Sequence, residues 1–210
     1  MSFPTAVVKR HALGLPAGSV RAAQMLGVVG LICAIMLIPS RAVTPMPPYL
    51  VWLLFLMLGH FFAAHGVTIA TRDDPAPSPL YLPGGVVRFL VVAGLAGCIG
   101  WKLYSDEAGL RSQLEASVDA LKLAPFLPFV ILAGFFLGVV VRAIVGRTSP
   151  PVALQDLEAW VSLIALVALA SAALIHLVIN PTLDIDKQLN LPNWEGFVGA
   201  VIAFYFGERS

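Results

Sequence analysis

The chain has 210 residues, and its 13 basic and 12 acidic side chains leave a formal net charge of +1. Apolar residues make up 59% of it, charged residues make up 12%, and the mean hydropathy is +0.88. A soluble domain carries roughly 25% charged residues to keep its surface solvated. The composition therefore excludes an ordinary soluble enzyme and a disordered chain, and the small net charge provides no basic surface for nucleic acid.

Six apolar stretches are candidate membrane-spanning helices, because a helix needs roughly 20 apolar residues to cross the hydrocarbon layer. They cover residues 19–38, 50–70, 85–104, 125–146, 158–179 and 194–207. The last stretch is short, so it is either a short span or a re-entrant segment. The stretches are continuous rather than alternating, which favours helices over the strands of a closed barrel. The first is also too long for a cleavable signal peptide, so we expect it to be retained.

Basic residues indicate the orientation of the spans, because cytoplasmic loops are enriched in Lys and Arg. The side of the N terminus carries Lys9, Arg10, Arg21, Arg72, Arg88, Arg142, Arg147 and Arg209. The opposite side carries Arg41, Lys102, Arg111, Lys122 and Lys187. The sequence therefore predicts an all-α integral membrane protein with six transmembrane helices and both termini in the cytoplasm.

A repeated pattern divides this single membrane domain into hairpins. Leu15–Arg21 (LPAGSVR) recurs as Leu82–Arg88 (LPGGVVR). At the same offset along the chain, Gly27 and Gly30 align with Gly94 and Gly97. A second offset, between later segments, aligns Gly138 with Gly199. The pattern predicts three parallel helical hairpins at residues 15–72, 82–147 and 154–210, related by an axis along the membrane normal.

The small residues of the repeat are predicted to pack helices together, because they let helix backbones approach where lipid removes the hydrophobic driving force. The predicted packing residues are Gly27, Gly30, Gly94, Gly97, Gly138 and Gly199. Arg21, Arg88 and Arg147 fall at the cytoplasmic ends of spans, where we expect them to bind lipid phosphates. Ser162 and Ser171 are predicted to form hydrogen bonds between helices. Cys33 and Cys98 lie inside apolar stretches and are expected to be free thiols.

Residues 106–122 form the one sizeable polar segment outside the membrane. Leu110, Leu114, Val118 and Leu121 recur at helical spacing, with charged residues on the other faces. This pattern predicts an amphipathic helix. It either packs on its own bundle, anchors at the lipid interface or binds a partner protein.

Ionisable residues inside the spans are where membrane-embedded chemistry is expected. His60 and His65 lie on the second span, Arg142 on the fourth and His176 on the fifth. His60 and His65 point about 140° apart on one helix, and His60 and His176 differ in depth, so neither pair forms a metal or haem site. Catalytic motifs and mid-membrane carboxylates are absent from the sequence. We therefore expect no catalytic residue, cofactor or metal, and we keep His60, His65 and Arg142 as candidate pore residues.

Two short segments carry a resemblance. Ser19-Val20-Arg21 at the start of one helix and Phe204–Ser210 at the end of another resemble the two-helix hairpins of small bacterial membrane proteins of uncharacterised role. The resemblance implies no activity, and the expected location is the inner membrane of a bacterium. The expected function is a non-catalytic subunit or scaffold that assembles with copies of itself or with other membrane proteins. The alternatives are an oligomeric ion channel or pore, and a small transporter or membrane enzyme.

Overall fold

The computed structural model describes residues 12–16, 18–37, 46–63, 79–82, 85–123, 125–145, 152–183, 189 and 194–208. Within these ranges all regular secondary structure is helical. The α-helices are α1 (Ser19–Leu37), α2 (Pro48–Ala63), α3 (Val86–Ser105), α4 (Glu107–Leu123), α5 (Leu127–Val145), α6 (Val152–Leu174) and α7 (Trp194–Glu208). Single 3₁₀ turns at Ala12–Gly14 and Pro79–Tyr81 precede α1 and α3.

Four of these helices, α1, α3, α5 and α6, are long and apolar enough to cross a membrane. The shorter helices α2 and α7 have 16 and 15 residues, which give lengths of about 24 and 22 Å. The second half of the predicted span 50–70 lies largely outside the described residues. The chain therefore has the helices of a membrane protein, and the count of six spans stays a prediction.

The predicted helix boundaries agree most closely at α1 and α7, each of which differs from its prediction by one residue at one end. Pro16 accepts the backbone N–H of Ser19 at 3.1 Å and so sets the first turn of α1. The sixth helix, by contrast, begins at Val152, earlier than the predicted residue 158. Asp156 and Glu158 fall in its first two turns, where the helix dipole favours carboxylates. The polar residues that suggested a loop are therefore part of the helix.

Helices α1 and α3 run in the same direction. Gly94 faces Val29, because a Cβ on Gly94 would lie 3.8 Å from Cγ1 of Val29. Further along both helices, the thiol of Cys98 donates to the carbonyl oxygen of Cys33 at 3.6 Å. Residue numbers thus rise together along the contact. Both cysteines are free thiols in this structure.

Helices α1 and α6 also run in the same direction. The side-chain amide of Gln24 donates to the carbonyl oxygen of Ser162 at 3.3 Å. One turn further on, a Cβ on Gly27 would lie 2.8 Å from the side chain of Leu166. Because α1 contacts both α3 and α6 in this way, these three helices begin at one end of the bundle.

Helices α2 and α7 share the opposite direction. A Cβ on Gly199 would lie 3.7 Å from Cδ1 of Leu53. Two turns on, the rings of His60 and Phe206 meet edge to face with their centroids 5.6 Å apart. Both helices therefore end where α1 begins, since His60 also contacts Arg21 in the first turn of α1.

Helices α5 and α7 run parallel and approach each other at backbone distance. The contacts pair Gly134 with Ala200, Gly138 with Phe204, and Gly207 with Phe135. In each pair a Cβ on the glycine would collide with backbone atoms of the facing helix. Small residues at such a crossing bring two helix backbones close and increase their van der Waals contact.

Helix α7 is the central helix of the described fold, since it packs against α2, α5 and α6. Phe206 and Ile202 are fully buried there, together with Met25 of α1 and Leu53 of α2. Helix α3 is peripheral and packs mainly on α1 and α4. Its outward face exposes large apolar side chains, as do the outward faces of α5 and α6. Apolar surface of this extent is typical of a protein that contacts lipid.

Helix α4 corresponds to the predicted amphipathic helix 106–122. Asp106 caps it, because its Oδ1 accepts the backbone N–H of Gly109 at 2.9 Å. Leu110 is buried against the bundle, whereas Leu114 and Val118 are 56% and 52% exposed. Leu110 therefore packs on the bundle, whereas Leu114 and Val118 of the same stripe face outward.

A π-helical turn at Ile175–Ile179 follows α6 and leads into the connection to α7. The buried side chain of Asn180 then holds this connection through the backbone of Leu189. Its Nδ2 donates to the Leu189 carbonyl oxygen at 2.9 Å, and its Oδ1 accepts the Leu189 N–H at 3.0 Å. The side-chain amide of Asn180 therefore pairs with both the N–H and the carbonyl group of Leu189, as the backbone of a neighbouring strand would.

Adding one methyl group at the α5–α7 crossing should destabilise the fold. In Gly138→Ala the new Cβ would meet the carbonyl oxygen of Phe204 and lie 2.7 Å from the nitrogen of Glu208. Because neither helix backbone can move locally to accommodate the methyl group, we expect the free energy of unfolding to fall by about 2 kcal/mol, as for an overpacked core. Titration with denaturing detergent in mixed micelles measures this change.

Gly59→Ala is the matched control, because Gly59 is also helical but has no atom within 4 Å of its Cβ position among the described residues. Alanine has a higher helix propensity by up to ~1 kcal/mol. The control variant should therefore be as stable as the parent or slightly more stable. Equal losses of stability in the two variants would contradict the described crossing of α5 and α7.

Candidate functional site at the His60 end of the bundle

The end of the bundle where α1, α3 and α6 begin and α2 and α7 end is called here the His60 end. Its connecting segments are fixed to the helix starts by side-chain hydrogen bonds. The hydroxyl oxygen of Ser19 accepts the N–H of Leu80 at 2.8 Å. Oδ1 of Asp156 accepts the N–H of Leu13 at 2.6 Å. These two side chains accept backbone N–H groups that lie outside the α-helices and would otherwise lack a partner in the helix ladder.

Arg21 and His60 meet at this end. The guanidinium Nη1 of Arg21 lies 3.2 Å from Nε2 of His60. Because a guanidinium can only donate, Nε2 is the acceptor and the ring is neutral with its proton on Nδ1. Phe135 and Phe206 flank the same ring edge to face, at centroid distances of 6.2 and 5.6 Å. The imidazole is therefore held between aromatic rings and a guanidinium.

Arg142 extends this cationic region from α5. Its side chain is exposed, one turn from the end of the helix. Arg142 follows Phe135 on α5 by two helical turns, and Phe135 packs on the His60 ring. Three of the predicted site residues, Arg21, His60 and Arg142, thus lie at one end of the bundle.

The remaining predicted side chains lie elsewhere. Arg88 is half-buried near the start of α3, on the far side of α1. His65 and Arg147 lie outside the described residues, as does the side chain of His176. The expected contacts of these last three residues stay predictions.

The six predicted packing glycines differ in their surroundings. Gly27, Gly138 and Gly199 each face a neighbouring helix at contact distance, and Gly94 faces Val29 more loosely. Gly30 and Gly97 have no described atom within 4 Å of their Cβ positions. Gly134 and Gly207 were missed, although the spacing of Gly134 and Gly138 is the signal that identifies close helix packing.

Two predictions about serine were wrong. The hydroxyl of Ser162 donates within its own helix to the carbonyl oxygen of Ala159 at 3.0 Å. Ser171 does the same to Val167 at 2.9 Å. A serine in a helix commonly bonds the preceding turn in this way. The hydrogen bond between α1 and α6 comes instead from the fully buried Gln24, which the sequence analysis did not single out.

The chemistry available at the His60 end is the binding of an anion. Guanidinium groups bind phosphate and carboxylate through charge-assisted hydrogen bonds. Among the described residues no three His, Cys, Asp or Glu side chains come together as metal ligands. No protein-family model, curated protein or solved structure matches the chain. The function is therefore argued from the residues and their geometry.

The contact between Arg21 and His60 should appear as an energetic coupling in a double-mutant cycle. We expect Arg21→Gln and His60→Leu to be non-additive by about 1 kcal/mol, as for hydrogen bonds between membrane helices. The free energy of unfolding in mixed micelles is measured for both single variants and the double variant. Pairing His60→Leu with Lys102→Gln is the control, because Lys102 lies at the opposite end of the bundle and bonds Asp106. A coupling below about 0.3 kcal/mol for the Arg21 pair would show that the two side chains do not interact.

Proposed function

We propose that this chain is a non-catalytic subunit of a cell membrane that assembles with a second copy of itself through α3. The observation that carries the proposal is an exposed face of small residues on this peripheral helix. Ala93 and Gly97 are four residues apart, as are Ala96 and Gly100, and all four are exposed. Gly97 and Gly100 have no described atom within 4 Å of their Cβ positions.

The same residue spacing already joins two helices inside this chain. Gly134 and Gly138 let α5 and α7 pack in parallel at backbone distance. A second copy inserted with the same topology also presents its α3 in the same direction. Two α3 helices related by a twofold axis along the membrane normal would therefore meet in parallel through identical faces.

The groove beside this face has room for a neighbouring helix. It lies between α1 and α3 and has a volume of about 600 Å³. Its lining residues are apolar and include Gly30 and Gly97. Trp101 and Leu37 border its far end. The combination of an open groove and a small-residue face favours helix association over contact with lipid alone, because close backbone packing is lost if lipid fills the groove.

The proposal includes a topology of six crossings. Helices α1, α3 and α6 run in one direction, and α2, α5 and α7 run in the other. These alternating directions support the predicted repeat of three hairpins. The excess of Lys and Arg at the His60 end supports cytoplasmic termini. A bacterial inner membrane is the location that fits this orientation rule.

The alternative function is a pore. Of its candidate residues His60, His65 and Arg142, His65 lies outside the described residues. His60 and Arg142 lie on the outward side where α2 meets α5. A pore built from them requires this side to line the centre of an oligomer, whereas the proposed assembly uses α3. Ion flux in liposomes that disappears in the double variant Arg142→Ala and His60→Ala would favour the pore and contradict the proposal.

The proposed assembly predicts that enlarging Gly97 disrupts it. In Gly97→Leu the side chain would stand between the two α3 helices, so we expect the dissociation constant of the dimer to rise at least tenfold. Single-molecule photobleaching in lipid vesicles measures the monomer and dimer fractions as the protein is diluted in the bilayer.

Gly59→Leu is the control, because Gly59 is equally open but lies on α2 away from the α3 face. This variant should dimerise as the parent does. The proposal is wrong if the parent chain stays monomeric at every density, or if the two variants weaken the dimer equally.

A further inference from the structure

A groove on the other side of the bundle has the composition of a lipid-binding site. It lies between α2 and α5 and has a volume of about 490 Å³. Its walls include Trp52, Phe55, Leu56, Leu132 and Phe136. Gly59 leaves its floor open, with no described atom within 4 Å of its Cβ position.

One end of this groove is polar. His60 lines it there, and Arg21 contacts the His60 ring at 3.2 Å. Along α2 the groove runs from Trp52 to His60, which is about 12 Å at 1.5 Å per residue. The hydrocarbon of one leaflet is roughly 15 Å thick, half of the ~30 Å core. The groove therefore extends through about one leaflet and ends at a cationic group.

Arg142 lies on the face of α5 that lines the groove. Pro128, Leu132 and Phe135 mark this face at helical spacing. Arg142 follows Phe135 by two helical turns of about 3.6 residues each, so it lies on the same stripe about 10 Å nearer the helix end. Its side chain is exposed, and Phe135 on the same stripe packs on the His60 ring.

Basic and acidic side chains both lie at this end of the bundle. Glu208 ends α7 nearby, with its backbone nitrogen beside Gly138 of α5, and Glu158 lies in the second turn of α6. Asp156 belongs to the α1–α6 side, where it accepts the N–H of Leu13. Guanidinium groups at the mouth of an apolar groove are complementary to an anionic amphiphile, because they bind phosphate oxygens through charge-assisted hydrogen bonds.

We propose that the α2–α5 groove binds an anionic phospholipid of the leaflet at the His60 end. One acyl chain lies along the aromatic wall, and the phosphate accepts hydrogen bonds from Arg21 and Arg142. The site is on the opposite side of the bundle from the α3 face, so it is independent of the proposed assembly. Arg142 is exposed, which makes it the headgroup contact best removed by mutation without unfolding the chain.

Native mass spectrometry of the detergent-solubilised full chain tests this site. The protein is titrated with phosphatidylglycerol and, separately, with phosphatidylcholine of the same acyl chains. We expect the anionic lipid to bind more tightly, with one high-affinity site per chain. Arg142→Gln should weaken that site about fivefold, the loss of one guanidinium contact at the membrane surface. Gly59→Leu fills the groove and should weaken binding further.

Arg88→Gln is the matched control, because it removes the same charge at the same end of the bundle but on α3, away from the groove. Gly97→Leu is the control for Gly59→Leu, because it adds the same side chain on α3, outside the α2–α5 groove. Both should bind phosphatidylglycerol as the parent does, whether or not the chain dimerises. Equal affinity for the two lipids, or equal losses in Arg142→Gln and Arg88→Gln, would overturn the proposal. Competition by millimolar inorganic phosphate would also overturn it, since the site would then bind a soluble anion without an acyl chain.

Discussion

The close crossing of α5 and α7 is the interaction on which the described fold depends. Helix α7 is short, and lipid supplies no hydrophobic force that holds such a helix among others. Its position is fixed by backbone contacts at Gly134, Gly138 and Gly207, where any larger residue would collide. From that position α7 also packs on α2 and α6, and it places Phe206 against His60. The polar end of the bundle is therefore assembled around a helix held by glycine.

Two sets of helices with opposite directions explain how the chain uses its few charged groups. Since α1, α3 and α6 begin where α2 and α7 end, the basic residues of several helices meet at one end. Arg21 contacts His60 there although the two residues are distant in sequence, and Arg142 lies in the last turn of its helix, α5, at the same end. The opposite end carries α4, the ion pair of Lys102 with Asp106 at 3.5 Å, and the loop held by Asn180. Between these ends Gln24 of α1 and Ser162 of α6 are buried polar side chains. The functions proposed for the chain, helix association and binding at the surface, use its outer faces.

The sequence was informative where physical signals are local. The start of α1 follows from Pro16 and Gly18, and α4 follows from the spacing of its leucines and the cap at Asp106. Partners across the bundle were not predictable, because periodicity identifies a helix face and not the helix that covers it. Gly30 and Gly97 share the pattern of Gly27 and Gly94, yet in the described residues they are open. The contact of Arg21 with His60 depends on the register of the first hairpin, which the intervening sequence does not encode by any local rule.

The direction of the helices is tested most directly by labelling exposed positions from one side of the membrane. In a background with Cys33 and Cys98 replaced by alanine, single cysteines are placed at Tyr81, Tyr104, Leu154 and Leu189, all of which are exposed. A membrane-impermeant maleimide added to intact cells should label Tyr104→Cys and Leu189→Cys. It should label Tyr81→Cys and Leu154→Cys only after permeabilisation. If the reagent labels Leu154→Cys and Leu189→Cys from the same side, α6 does not cross the membrane. That result would contradict the two sets of helices with opposite directions.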